Sequence, residues 1–250
     1  MPLPLSESVF LILGATGGIG SALSEKLHTS GAHIVLASQT DHKLNTLKNI
    51  VDGSTHVVDA TDFDQVEESV QFAMDTYGRI DGVVNCVGSI LLKPAHLTTL
   101  EEYHHTLALN LHSSFYLLKS VARPMMKQKS GSIVFMSSAV ARTGIVNHEA
   151  IAAAKAGLTG LALSAAATYA RWNIRVNCIA PGLVDTPLSA HLLANEKSKT
   201  ASESMHALGR LGTAEEVAEA VAWLLDSNRS GWVTGQIIGV DGGLGTVRPR

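Results

Sequence analysis

Two short stretches carry groups suited to chemistry. In "NHEAIAAAK" (147–155) an imidazole, His148, and an ammonium, Lys155, bracket an isoleucine, Ile151. Positions 148, 151 and 155 stand at i, i+3 and i+7, so a helix beginning at His148 with Asn147 as its N-cap turns all three toward one cleft. An imidazole placed there can act as a general acid near neutral pH. Ile151, four residues before the lysine where a proton donor would be useful, offers neither a proton nor a hydrogen bond. In "GATGGIG" (14–20), the glycines Gly14, Gly18 and Gly20 allow a tight turn. They also let backbone N–H groups and a helix N-terminus approach a pyrophosphate with no Cβ in the way.

A glycine triplet alone is weak evidence. Here it follows the apolar run "VFLIL" (9–13) and precedes the amphipathic "SALSEKL", which is the strand, turn and helix of a dinucleotide-binding βαβ unit. The second strand should deliver the residue that reads the adenosine ribose. It ends "LASQT", placing Ser38 at that position with Gln39 beside it. With no carboxylate to repel a 2′-phosphate, NADP(H) is slightly favoured over NAD(H). No Arg or Lys stands at Ser38, Gln39 or Gly17 to strengthen that preference. Asp59, closing "HVVDA", reads either as a group facing the adenine or as a solvated turn carboxylate.

The elements that must position these groups are visible as alternating runs. Seven apolar stretches read as strands: 9–13, 33–38, 56–60, 80–85, 131–137, 174–180 and 235–242. They are apolar throughout, as parallel strands covered on both faces should be, and the stretches between them have room for crossover helices. The fold class is α/β, a Rossmann-type doubly wound seven-stranded parallel sheet, in one domain spanning residues 1–250. From Thr61 an apolar face recurs through Phe63, Val66, Val70, Ala73 and Met74 until Gly78 ends the helix. "TAEEVAEAVAWLL" (213–225) opens with a capping box, Thr213 and Glu216. Between them the segment 183–210 mixes helix formers with polar residues and reads as a mobile substrate lid.

Composition narrows the partners. A net charge of −3 with 19 scattered Lys and Arg gives no nucleic-acid footprint. Cys86 and Cys178, each inside an apolar run, fit reduced thiols and a cytoplasmic location. No signal-like N-terminus and no 18-residue apolar span is read, so no membrane partner is expected. The 11 histidines show no metal-ligand spacing, and no metal is expected.

Taken together, "GATGGIG", "NCVG" (85–88), Asn110 in "LALNLHSSF", Ser138 in "GSIVFMSSAVA", Lys155 in "AAAKAG", "IRVNCIAPGLVDT" (174–186) and "VTGQIIGVDGG" (233–243) resemble the short-chain dehydrogenase/reductase family over essentially the whole chain. The pattern is similar to its 3-oxoacyl-carrier-protein reductase branch. The resemblance implies a nicotinamide-dependent oxidoreductase, commonly a homotetramer, acting on a small carbonyl or alcohol substrate. It implies that Ser138 holds the substrate oxygen, that Lys155 binds the nicotinamide ribose, and that Asn110 completes a water relay. Cofactor contacts are implied for Gly14, Thr16, Gly17, Gly18, Ile19, Gly20, Ser38, Gln39, Asp59, Ala60, Asn85, Val87, Gly88, Lys155, Pro181, Gly182, Val184 and Thr186.

The family's tyrosine position, 13 residues after Ser138 and four before Lys155, is Ile151. None of the four tyrosines reaches it by a small register shift: Tyr103 and Tyr116 flank Asn110, Tyr77 lies on an earlier helix, and Tyr169 is four turns past Lys155. An alkoxide forming in the cleft therefore lacks the usual acid, whose contribution is typically ~10²–10⁴ in rate. Three functions follow. The chain is an oxidoreductase using His148, or a water chain through Asn110 and Lys155, for the proton; or it is a catalytically inactive nicotinamide-binding protein, a sensor or oligomer partner; or it is a dehydratase or isomerase. The intact dinucleotide cradle argues against the last. The loop 88–97 and the lid residues Leu188, Leu192, Leu193 and Met205 are expected to line an apolar substrate pocket, with Lys93 near its rim.

Overall fold

In a computed structural model of the chain, which describes residues 3–247, the seven apolar runs pair into one sheet. The strands are β1 (Val9–Leu13), β2 (His33–Ser38), β3 (Ser54–Val57), β4 (Gly82–Asn85), β5 (Gly131–Met136), β6 (Ile174–Pro181) and β7 (Ile237–Val240). All are parallel, in the order β3-β2-β1-β4-β5-β6-β7. Alternate side chains of β1 enter opposite cores, Phe10 and Ile12 on one face, Leu11 and Leu13 on the other. A strand buried on both sides needs an unbroken apolar run, which is why no polar alternation marks it.

The helices divide between the two faces. One core takes α1 (Gly18–Thr29) and α2 (Asp41–Lys48) through Leu23, Leu27, Leu44 and Leu47. The opposite core takes α3 (Phe63–Tyr77) through Val66, Val70 and Ala73. After α4 (Leu100–Leu107) the chain makes a π-helical turn over Ala108–His112 and continues as α5 (Ser113–Gln128). The helix α6 (Glu149–Tyr169) then lays Leu158, Ala162, Ala165 and Ala166 in the same core as α3. The lid segment forms α7 (Ala190–Leu193) and α8 (Glu196–Met205), and α9 (Ala214–Leu225) returns to the core of α1, followed by the single turn α10 (Ser227–Ser230).

Local chemistry sets the helix ends as the sequence indicates. Asp62 caps α3 by accepting from Asp64 and Gln65 N–H groups, and Gly78 closes it at φ +72°, a left-handed conformation that glycine takes without steric cost. The capping box of α9 is present in both directions, with Thr213 Oγ1 accepting from Glu216 N and Glu216 Oε2 accepting from Thr213 N.

Several expectations change. The third strand lies at 54–57 and not at 56–60: its pairing with β2 ends at Val57 opposite Ser38, the last residue of β2, with Val58 N–H giving the final bond to Ser38 O. That leaves Asp59 and Ala60 in the following turn. The last strand is trimmed to 237–240, with Gly235 and Gly242 at φ +69° and +55° on either side. The expectation of no 18-residue apolar span also fails. An 18-residue window within Glu149–Trp172 has a mean hydropathy of 1.4, and this helix is long and apolar enough by composition to cross a membrane. In the fold, that helix lies along β6 with its alanines in the core, which is the alternative use of such a segment.

Candidate active site

β1 and β4 are neighbours in the sheet but not in sequence, and the crevice of an open α/β sheet lies where the strand order reverses, at the carboxyl ends of such strands. Leu13 and Asn85 end the two strands in register. Gly14 follows at φ +78°, packed so closely that a Cβ would sit 2.8 Å from Val87 N. At Gly20 a Cβ would collide with Gly14 O, and Gly14 O accepts from Gly17 N at 3.0 Å. Gly17 is the N-cap of α1 and has no side chain to cover the first-turn N–H groups, so these face the crevice as an anion site. A Cβ on Gly18 would strike Thr186 at 2.7 Å, which places the loop after β6 directly over this opening. The cradle therefore fits a dinucleotide pyrophosphate.

At the ribose end Ser38, 9% exposed, shares a 2.6 Å hydrogen bond with Thr16 Oγ1. Gln39 Nε2 donates to Asp59 Oδ2 at 3.1 Å, while Asp59 Oδ1 accepts from Thr61 N and Thr61 Oγ1. Asp59 is thus held as an Asx turn beside Gln39. Ala60 is buried behind it. Asn85 is 2% exposed and works inward: its amide donates to Ser113 Oγ and Ser114 Oγ, and its carbonyl accepts from Val87 N. It shapes the Val87–Gly88 loop from below.

The reacting end opens as a cavity of about 580 Å³ that brings Ser138, His148, Ile151, Lys155 and Asn110 to one wall, together with Ile19, Val87, Gly88, Pro181, Gly182, Val184 and Thr186. Ser138 follows β5 and its Oγ accepts from Val140 N at 3.3 Å, so its own O–H is left to donate into the cavity. Lys155 is 8% exposed, and Nζ donates to Met136 O at 2.7 Å. Burial lowers this ammonium to about 8 from the ordinary lysine range. Asn110 sits in the π-helical turn, a distortion common at functional sites. Its Oδ1 accepts from Ser89 N at 3.2 Å, and its Nδ2 donates to Ser89 Oγ and Thr106 O. A Cβ on Gly88 would lie 2.8 Å from Asn110 Oδ1 and 3.5 Å from Lys155 Nζ, so the glycine is what lets these two groups converge.

His148 reaches the cavity by a different route from the one its spacing suggests. The helix begins at Glu149, with His148 itself at the N-cap, and Asn147 is left-handed at φ +63°, so Asn147 does not cap it. The imidazole is oriented by its backbone: Nδ1 lies 2.7 Å from Val146 O. With Nδ1–H donating to that carbonyl, Nε2 is the position that can carry a transferable proton. Ile151 beside it is 5% exposed and closes the wall with aliphatic surface.

Other expectations at the rim are revised. Lys93 does not line the cavity. Its Nζ donates to both oxygens of Glu102, a residue already fixed as the third position of the α4 capping box. Of the lid residues, Leu188, Leu192 and Met205 face the cavity and Leu193 does not. Sequence reading also missed His206 and Ser189, both buried in the lid region. His206 Nε2 accepts from Leu183 N at 3.0 Å and Nδ1 donates to Ser202 O at 2.8 Å, while Ser189 Oγ accepts from Thr186 N and donates to Val184 O. Only the 23-residue reach of His206 to Leu183 N is a tie between distant segments; Ser189 closes a local turn on Val184 and Thr186.

Comparison with known proteins agrees with this fold. A family model described as Enoyl-(Acyl carrier protein) reductase matches residues 14–245. A 3-oxoacyl-[acyl-carrier-protein] reductase of Thermotoga maritima is 37% identical over 96% of this chain and 98% of its own length. Among solved structures, levodione reductase superposes with a TM-score of 0.91 at 31% identity, over 97% of this chain and 99% of its own. Actinorhodin polyketide ketoreductase with NADPH superposes at 0.92 and 27% identity, over 99% and 100%. The chain belongs to the short-chain dehydrogenase/reductase family of NAD(P)-dependent oxidoreductases.

Proposed function

We propose that this protein is an NADP(H)-preferring oxidoreductase of a carbonyl/alcohol pair in which His148 performs the proton transfer that Ile151 cannot. The observation that carries the reading is the single cavity shared by Ser138, His148 and Lys155, with the His148 ring oriented by the Val146 carbonyl. A bound nicotinamide dinucleotide supplies or accepts the hydride. Ser138 O–H donates to the substrate oxygen and fixes its place. The imidazolium of His148 presents Nε2–H to the oxygen as negative charge grows there, and takes the proton back in the reverse direction. Lys155 holds the nicotinamide ribose, and Asn110, clamped by Ser89, braces the loop beneath it. The remaining cofactor contacts are those named from the glycine loop, Ser38 to Ala60, Asn85 to Gly88, and Pro181 to Thr186.

NADP(H) preference follows from Ser38, which brings no carboxylate against a 2′-phosphate, and the ketoreductase superposed above is held with NADPH. We place the protein in the cytoplasm as a homotetramer. Its two free thiols suit a reducing compartment, and Phe115 and Leu163, each about half exposed on α5 and α6, suit burial against a second copy.

The test is single-turnover mixing with NADPH and a panel of ketones. His148→Ala should cut turnover about 10²-fold or more while NADPH affinity stays nearly unchanged. Turnover indifferent to that change removes histidine from the mechanism. A wild type that binds NADPH but turns over no carbonyl or alcohol is a nicotinamide-binding protein without catalysis.

A further inference from the structure

We propose, resting on the carbonyl/alcohol reading above, that the substrate enters the cavity uncharged: a neutral ketone or its alcohol, with an apolar body and only uncharged polar groups toward the lid. Among the described residues that line the cavity, Lys155 carries the only fixed charge, and no carboxylate or guanidinium is present. That ammonium sits at the cofactor end, nearly buried, with a donor already committed to Met136 O. The walls that meet the rest of a substrate are aliphatic: Leu92, Ile145, Val146, Leu188, Leu192 and Met205. The lid adds Asn195, Ser198 and Ser202, which can hydrogen-bond but bear no charge. His148 and His191 each turn Nδ1 onto a backbone carbonyl, at 2.7 and 3.1 Å, leaving one ring nitrogen apiece for a ligand.

Two cations near the loops that border the cavity are already paired. Lys93 is held by Glu102, and Arg210, at the far end of the lid, is held bidentately by Glu216. A carboxylate drawn into this cavity would lose its water and meet largely aliphatic surface with no Lys or Arg on the lid side, a costly burial. A neutral ring loses only water that apolar surface holds poorly. The cavity therefore selects by charge before it selects by shape.

Equilibrium calorimetry on the NADP⁺-saturated protein tests this with matched probe pairs of one ring size, such as 4-methylcyclohexanone against 4-oxocyclohexanecarboxylate, and larger homologues of both. The neutral member should bind at least tenfold more tightly in each pair that binds. Parity, preference for the carboxylate, or failure of every neutral member to bind overturns the inference. Leu192→Arg, at a partly exposed lid position outside both hydrophobic cores, should raise affinity for the carboxylate members at least tenfold. An unchanged carboxylate affinity in that variant also overturns it. Binding needs no proton transfer, so neutral probes that bind here but are not reduced when NADPH replaces NADP⁺ count against the role of His148 and leave the charge selection standing.

Discussion

Replacing one residue separates the roles in this site. If the geometry around position 151 is otherwise that of the family, Ile151→Tyr should create or raise carbonyl-reductase activity, and do so even in the His148→Ala background, because the phenol would stand at the family's spacing from Ser138 and Lys155. Steady-state rates of the single and double variants check this. At the proposed ribose end of the crevice, Ser38→Asp replaces the hydroxyl bonded to Thr16 with a carboxylate that would repel a 2′-phosphate. It should swing preference from NADPH to NADH, read as a ratio of dissociation constants, and strong NADH preference in the unmodified protein would contradict the cofactor reading. Lys155 carries a stability consequence of its burial. The folded state releases its proton near about 8, whereas the unfolded chain keeps it into the ordinary lysine range near 10.4. Between those values the unfolded state binds more protons, so stability rises with pH; below about 8 both states are protonated and the penalty is fully present. Denaturant titrations from pH 7 to 10 should show that rise, and Lys155→Met should flatten it while weakening NADPH binding.

At the scale of elements, the lid is joined to the cofactor loop by His206. It accepts from Leu183 N and donates to Ser202 O, so one neutral imidazole ties the end of α8 to the turn after β6. Gly182 must lack a side chain for this contact, since a Cβ there would lie 2.6 Å from His206 Nε2. His206→Ala leaves the partly buried Leu183 N–H without its partner, at a cost of about 1 kcal/mol, and frees both segments at once. It should raise KM for NADPH severalfold with a smaller effect on kcat and make residues 183–210 more sensitive to limited proteolysis. His206→Gln, which can still accept from Leu183 N–H, should recover part of the loss.

For the whole molecule, α5 and α6 leave apolar side chains outside the two cores. Phe115 and Leu163 are 50% and 51% exposed, and Gly160 has open space where a Cβ would project. Small residues along α6 allow another copy to approach closely. Light scattering at micromolar concentration should give a tetramer, and Leu163→Lys should shift it to smaller species without unfolding the chain. A monomer in the unmodified protein would refute this assembly.

The sequence alone determined what depends on near neighbours. A strand buried on both faces must be apolar throughout, so β1 and β2 could be read to the residue; Gly78, Thr213 and Glu216 announced helix ends because capping is a local hydrogen-bonding problem. The tight turn over 14–20 was readable for the same reason, since a Cβ on Gly20 would collide with Gly14 O only six residues back. The tertiary structure decided what depends on distant partners. Whether β3 ran on to Asp59 was settled by where β2 stopped pairing with it. His148 caps α6, and does not lie inside it, because Asn147 takes a left-handed turn that no spacing rule discloses. The burial of Lys155, the diversion of Lys93 to Glu102 and the His206 tie each join segments remote from one another or folded back upon themselves. Charge and hydrogen bonding at such points are properties of a place in the fold, and the order of residues along the chain does not contain them.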